Sequence, residues 1–349
     1  MKVALHFTSA FKQPLVDADG RLIPGDSGRY LLRRLVELFD DPIVVDDIVR
    51  QCDGFETRPV SKLDVNQTIV VTFDVLAAMS LYSQMKTWVG AFPKIVNFVW
   101  WNVSEIPDKE SRAAMAVSCG MFPTFCNSAR TAGEVSDVVS KFMSGSVARK
   151  ARVEFSPLGI DVTPPPPRVV RDVPVVMYPA MWLFARKNPD RFLSAAMKVK
   201  AATGCEVRAA LSEHNLGGDM ADEFRRAGVE VSGLVPKSEY WGRLAETDAF
   251  LATAQDESYG LQYVEAMYAG VVGVFPDRAW VRSIVPPGYP FVYGSQQDAE
   301  AMLYYVVTNR DAARELVAGM PEWIRVNHDR TAFDETLKKQ VHDWWPDRE

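Results

Sequence analysis

The chain has 349 residues, 48% hydrophobic and 24% charged, with a formal net charge of -6. That length suits two domains of ordinary size, each able to bury a core, and the acidic balance excludes a general nucleic-acid binder while leaving room for a local basic patch. The four cysteines, Cys52, Cys119, Cys126 and Cys205, have neither metal-ligand spacing nor a disulfide pattern, which points to a reducing compartment. The first residues enter a strand without a signal peptide, and no apolar run is long enough to cross a bilayer, so the cytoplasm is the expected location.

Residues 2–7 read as a first strand, ending at Thr8-Ser9. Residues 12–28 are rich in Asp, Gly and Pro and form a loop closing with Pro24-Gly25-Asp26-Ser27-Gly28. The pattern over 29–39 predicts a helix with Leu31, Leu32, Leu35, Val36 and Leu38 inward and Arg33, Arg34 and Glu37 outward. Short strands are predicted at 43–45, 69–73, 95–100 and 123–126, an alternation that implies a parallel sheet wrapped by helices. Trp100-Trp101-Asn102-Val103-Ser104-Glu105 follows a strand's carboxyl end, where open α/β sheets place ligands. Two adjacent tryptophans cannot share one core face of an extended segment, so stacking on a sugar or base and simple packing both stand as readings. Ser128 starts the next helix, and the basic run Arg149, Lys150 and Arg152 reads as a solvated face rather than an acceptor patch.

The clearest boundary is Pro157-Leu158-Gly159-Ile160-Asp161-Val162-Thr163 followed by prolines at 164–167. Four consecutive prolines join neither a helix nor a central strand and stiffen a linker. The expected division is therefore 1–163, 164–325 and a C-terminal helix or tail at 326–349, packing back on the first domain. The second half repeats the alternation: strands at 173–178, 205–211 and 229–232, and helices from Asn188 as N-cap with Pro189 in the first turn, at 219–227 and at 238–244. Two doubly wound, Rossmann-like α/β domains follow from this order.

Residues 248–254 and 271–275 read as buried parallel strands around Asp256-Glu257-Ser258-Tyr259-Gly260-Leu261-Gln262-Tyr263-Val264-Glu265-Ala266-Met267. Leu261, Val264, Met267 and Tyr268 recur at helical spacing, with Gly260 at the start and Gly270 past the end. A strand, a glycine turn and a helix N-terminus make an anion site, because unpaired N–H groups and the helix dipole converge there. Glu257 and Glu265 bracket it. A carboxylate is repelled by phosphate but accepts hydrogen bonds from hydroxyls, which a sugar nucleotide carries on both sides of its diphosphate.

Glu-Ser-Tyr-Gly-Leu, three residues, then Glu-Ala-Met resembles the Glu-x7-Glu signature of retaining GT-B glycosyltransferases of the family 4-like type, also called glycosyl transferases group 1. The resemblance implies the GT-B fold, two Rossmann-like domains facing across a cleft, and a hexosyltransferase using a nucleoside diphosphate sugar, UDP- or GDP-linked, as co-substrate. It implies that Glu257 binds the donor sugar, that Ser258, Tyr259, Gly260 and Leu261 line the diphosphate, and that Glu265 binds the ribose. It also implies that the loop ending in Val235 and Pro236 holds the base, and that the glycine loop with Gly25, Asp26 and Ser27, together with Trp100, Trp101 and Asn102, lies on the acceptor side. The family's histidine near residues 100–105 is absent. Its Gly-Arg-Leu…Lys-Gly loop corresponds to Ala180-Met181-Trp182 and then Arg186-Lys187-Asn188, so Met181 replaces an arginine and Arg186 and Lys187 share the leaving diphosphate.

No metal or other cofactor is expected. Asp17-Ala18-Asp19 resembles the metal motif of the other glycosyltransferase fold, but it sits in a polar turn ahead of Gly20 and reads as turn chemistry. The expected reaction is front-face transfer with retention, to an acceptor hydroxyl on a small molecule, a glycan or a modified DNA base. Three alternatives stand beside it: a viral-type transferase acting on hydroxymethylated DNA bases, a non-catalytic sugar-nucleotide binder, and an epimerase of the same shape. The Glu-x7-Glu spacing points away from the epimerase.

Overall fold

The computed structural model describes residues 1–8, 14–23, 25, 27–89 and 92–346. The chain divides into two compact units, Met1–Pro157 with Thr331–Glu349, and Leu158–Arg330. The first crossing thus falls six residues before the proline-based boundary at 163, and the return falls between Arg330 and Thr331. Prolines 164–167 lie inside the second unit as irregular chain, exposed except for the half-buried Pro165.

In the first unit, eight strands form one sheet: β1 (Lys2–His6), β2 (Ile43–Val45), β3 (Arg50–Gln51), β4 (Glu56–Arg58), β5 (Thr68–Thr72), β6 (Lys94–Val99), β7 (Thr124–Cys126) and β8 (Val153–Phe155). Their order is β3-β4-β2-β1-β5-β6-β7-β8, parallel throughout except for the β3–β4 pair. The helices are α1 (Ser27–Leu38), α2 (Ala78–Val89), α3 (Lys109–Met121), α4 (Ala129–Phe142) and the one-turn α5 (Gly145–Ala148). Alternation along β6 decides which face each side chain joins. Ile95 clusters with Leu81 and Met85 of α2, and Val99 with Met115 of α3 and Val135 of α4. Phe98 points the other way and meets Phe333 of the C-terminal helix Arg330–Trp344. Burial on both faces is why these strands read as continuous apolar runs.

Arg34 corrects the helix-face expectation. It is 2% exposed, because the C-terminal helix covers it: its Nε donates to Asp334 at 2.8 Å and its guanidinium lies 4.7 Å from the Phe333 ring centre. An arginine on the solvent side of one helix became an inward residue through a partner 300 positions away. In the basic run, Arg149, Lys150 and Arg152 are exposed, with Arg152 laid over Trp345 at 5.5 Å. Asp17 accepts from the backbone N–H of Asp19 and Arg21, both at 2.9 Å, which fixes the Asp-x-Asp segment as a turn and holds the carboxyl below its usual range.

The second unit has six strands, β9 (Val175–Tyr178), β10 (Glu206–Leu211), β11 (Glu230–Gly233), β12 (Ala249–Leu251), β13 (Val272–Pro276) and β14 (Val292–Tyr293), in the order β11-β10-β9-β12-β13-β14 and all parallel. Its helices are α6 (Pro189–Thr203), α7 (Glu213–Leu216), α8 (Asp219–Arg226), α9 (Lys237–Glu246), α10 (Leu261–Tyr268), α11 (Gln296–Thr308), α12 (Arg310–Leu316) and α13 (Met320–Asn327). The C-terminal helix is therefore α14. At the start of β12, Asp248 is nearly buried and gathers Arg314, Arg168 at 3.5 Å and Arg310 at 3.9 Å, while also accepting from Val175 N–H at 2.8 Å. One carboxylate thus ties the proline-rich linker, two strand ends and α12 together. No helix among the described residues is long and apolar enough to cross a membrane.

Candidate active site

The strand β12 ends in a buried loop that turns into α10 at Gly260, whose φ of 87° and ψ of 49° lie in the left-handed region. A β-carbon there would also stand 2.6 Å from the Tyr263 ring, so conformation and space both demand glycine. Glu257 lies in this turn, 8% exposed. Its Oε1 pairs with Lys187 Nζ and accepts from Tyr263 Oη at 2.9 Å. The Tyr263 ring stacks on Trp280 at 5.2 Å. Burial, reinforced by the Glu257 charge, drives the Tyr263 hydroxyl well above its usual pKa, so it remains a proton donor toward the carboxylate.

Two further contacts fix the loop. Tyr259 is buried, its Oη accepting from Gly159 N–H at 3.0 Å and bonded to His328 Nδ1 at 2.6 Å. Ser258 is half-buried. The cation loop is sewn to the same turn. Thr253 Oγ1 donates to Lys187 O at 2.8 Å, Gln255 N–H to Arg186 O at 2.8 Å, and Asn188 Nδ2 to Thr253 O at 2.9 Å. Asn188 precedes α6, but its side chain does not cap that helix: φ is 47°, which turns the amide toward Thr253. It holds the expected N-cap position, with Pro189 first in α6, while its side chain braces two loops.

Glu265, 6% exposed, pairs with Lys237 at the first position of α9, just after Val235 and the N-cap Pro236. The Lys237 ammonium also lies over Tyr240 at 5.0 Å and Trp241 at 5.3 Å. A cavity of about 460 Å³ in the same unit is bounded by Tyr178, Ser232, Tyr240 and Gln262 among others. The structure therefore brings Lys187 against the turn that carries Glu257, Gly260 and Leu261, and joins Glu265 to the start of α9.

The residues expected on the acceptor side lie in the first unit. Gly25 is exposed, Ser27 is the first residue of α1, and Asp26 is outside the described residues. Both indoles are half-buried. Trp101 packs on the α3–α4 cluster, while Trp100 lies against Gly28 of α1, where a β-carbon would come within 3.1 Å of its ring. The adjacent rings thus serve two different packing surfaces. Asn102 is buried and donates to Glu105 at 2.8 Å.

Comparison with solved structures matches the fold over nearly the whole chain. Sucrose-phosphate synthase from Thermosynechococcus elongatus superposes with a TM-score of 0.76 at 11% identity, covering 98% of each chain. HepE of Anabaena, solved with UDP and glucose, gives 0.72 at 12% identity over 98% of this chain and 100% of its own. A glycosyltransferase from Rickettsia africae gives 0.70 at 11% identity over 99% of each. The chain has the GT-B glycosyltransferase fold. At such identities the likeness is one of fold. No family model matches the sequence, and no curated protein matches it.

Within this GT-B chain, sequence reasoning missed Tyr263 and Lys237. Tyr263 lies six residues after Glu257, on a helix whose residues 263–268 are all buried, and only the Gly260 turn brings it back onto the carboxylate. Lys237 directly follows the Val-Pro pair, a position that α9 aims at Glu265. Met181 contributes its carbonyl, accepting from Ser212 N–H at 2.9 Å.

Proposed function

We propose that this chain is a retaining glycosyltransferase of the Glu-x7-Glu type, moving a sugar from a nucleoside diphosphate sugar to an acceptor hydroxyl without a metal ion. The observation that carries the reading is Glu257, buried and held by Lys187 and Tyr263 beside the N-terminus of α10. A carboxylate held there by a lysine and a phenol accepts sugar hydroxyls without repelling the neighbouring diphosphate, because the lysine offsets its charge. Glu265 takes the ribose hydroxyls, and the Val235-Pro236 loop the base. The complex of HepE with UDP-glucose supports a UDP-linked donor for this chain as well.

In the proposed reaction the bond between the anomeric carbon and the diphosphate oxygen breaks, and the diphosphate leaves with the electron pair. Arg186, Lys187 and the amides of Gly260 and Leu261 stabilise the developing charge. The acceptor oxygen bonds to the anomeric carbon from the leaving group's face, and its proton passes to a departing phosphate oxygen. Two cations at the head of α6 do the neutralising work that a divalent ion does elsewhere, so EDTA should leave turnover intact. Four free thiols fit the proposed cytoplasmic setting.

The test is turnover. Wild type and Glu257→Ala are incubated with donor and candidate acceptors in the presence of EDTA, and the product is read by proton NMR. Retained anomeric configuration, released nucleoside diphosphate and loss of both in the variant are expected. An inverted product, or turnover restored only by added metal, would overturn the mechanism.

A further inference from the structure

We infer that Phe184 is a positioning residue for Arg186, acting through a stacked column that runs from His214 through Trp182 to Phe184. The inference rests on the reading of Arg186 as a diphosphate cation. The Trp182 ring lies 6.2 Å from His214 at an interplanar angle of 10°, and 5.1 Å from Phe184 at 11°. The Arg186 guanidinium carbon sits 5.6 Å from the Phe184 ring centre.

The column stands on a fixed base. Ser212 N–H donates to Met181 O at 2.9 Å, Tyr178 Oη to Trp182 O at 3.0 Å, and Asn215 Oδ1 accepts from Leu183 N–H at 3.0 Å. The backbone on either side of Trp182 is thereby locked to β9 and to the turn entering α7. Beyond it, the chain forms a single 3₁₀ turn, Ala185–Lys187, braced from the other side by Gln255 and Asn188. Phe184 is 48% exposed, so burial does not account for an aromatic ring at this position. Stacking does. A ring at this distance attracts and restrains a guanidinium, whose rigid fork of N–H groups suits an oxyanion.

The experiment uses the full chain and isothermal titration with UDP and with GDP, on wild type, Phe184→Leu, Phe184→Tyr, Arg186→Met and the double variant Phe184→Leu/Arg186→Met. Phe184→Leu should weaken nucleoside diphosphate binding about three- to tenfold, the range of an ordinary cation–π contact. Phe184→Tyr should restore it, and Phe184→Leu should cost nothing further once Arg186 is Met. The Arg186 Nε–H resonance should carry a ring-current shift that Phe184→Leu abolishes. An equal loss in the Arg186→Met background, an unaltered affinity or an unaltered resonance would each overturn the inference. If the wild type binds neither nucleotide, the donor reading has failed; a ring-current shift that Phe184→Leu abolishes then leaves the Phe184–Arg186 contact standing, and the absence of that shift overturns the inference as well.

Discussion

Replacing Tyr263 with phenylalanine removes one oxygen and leaves the ring in place. That ring still stacks on Trp280 and still fills the space under Gly260, so the packing of α10 survives the change. The loss is the 2.9 Å hydrogen bond to Glu257, a neutral donor to a buried carboxylate, which contributes about 1.5–3 kcal/mol. The Lys187 pairing remains, but the carboxylate loses one of the contacts that fix its position. If its placement matters mainly in the transition state, kcat/KM falls about 10- to 100-fold, the rate equivalent of that energy. Nucleoside diphosphate affinity should move much less, because the phenol's bond is to the Glu257 carboxylate. Steady-state kinetics with the active donor, paired with titration of the nucleotide product, separates the two effects. A kcat/KM within twofold of wild type would show that Tyr263 does not position Glu257.

Two other outcomes follow from the same structure. Burial holds His328 at a pKa of about 4 against an ordinary 6.5, so between those values the unfolded chain binds the extra proton and stability falls with falling pH, by about 3 kcal/mol across the window. Urea unfolding between pH 7 and pH 4.5 should show a steeper loss for wild type than for His328→Asn, and parallel curves would contradict the burial argument. Asp248→Ala leaves three arginines around a vanished carboxylate and should destabilise the protein by about 3–5 kcal/mol, measured by the same unfolding. A change below 1 kcal/mol would mean the arginines are solvated well enough to need no partner.

Much of the fold was legible because parallel strands buried on both faces write themselves as apolar runs. The strand before Glu257, the one after Gly270 and the helix between them emerge from periodicity alone. The short strands β3, β4, β8 and β14 at or beside the sheet edges, two or three residues each, carry no such signal, since so few residues show no periodicity. Arg34 was misjudged for a similar reason: helical periodicity knows nothing of α14. At the site, the glycine turn and the two glutamates announce themselves by type and spacing. What holds them does not. The Lys187 pairing joins positions 70 apart, and the Tyr259 link to Gly159 spans 100, distances at which only the folded sheet brings residues together. Asn188 holds the N-cap position read from the sequence, with Pro189 first in the helix, while its left-handed backbone and its side chain serve the neighbouring loop, which the local rule does not reveal.

The most direct test of the central claim is a thermal-shift titration of wild type and Glu257→Ala with a panel of UDP- and GDP-linked sugars in EDTA. The account predicts stabilisation of the wild type by one donor, and a variant that still responds to the bare nucleoside diphosphate but no longer distinguishes the sugar-linked form from it. A folded wild type that responds to no nucleotide sugar would contradict the account.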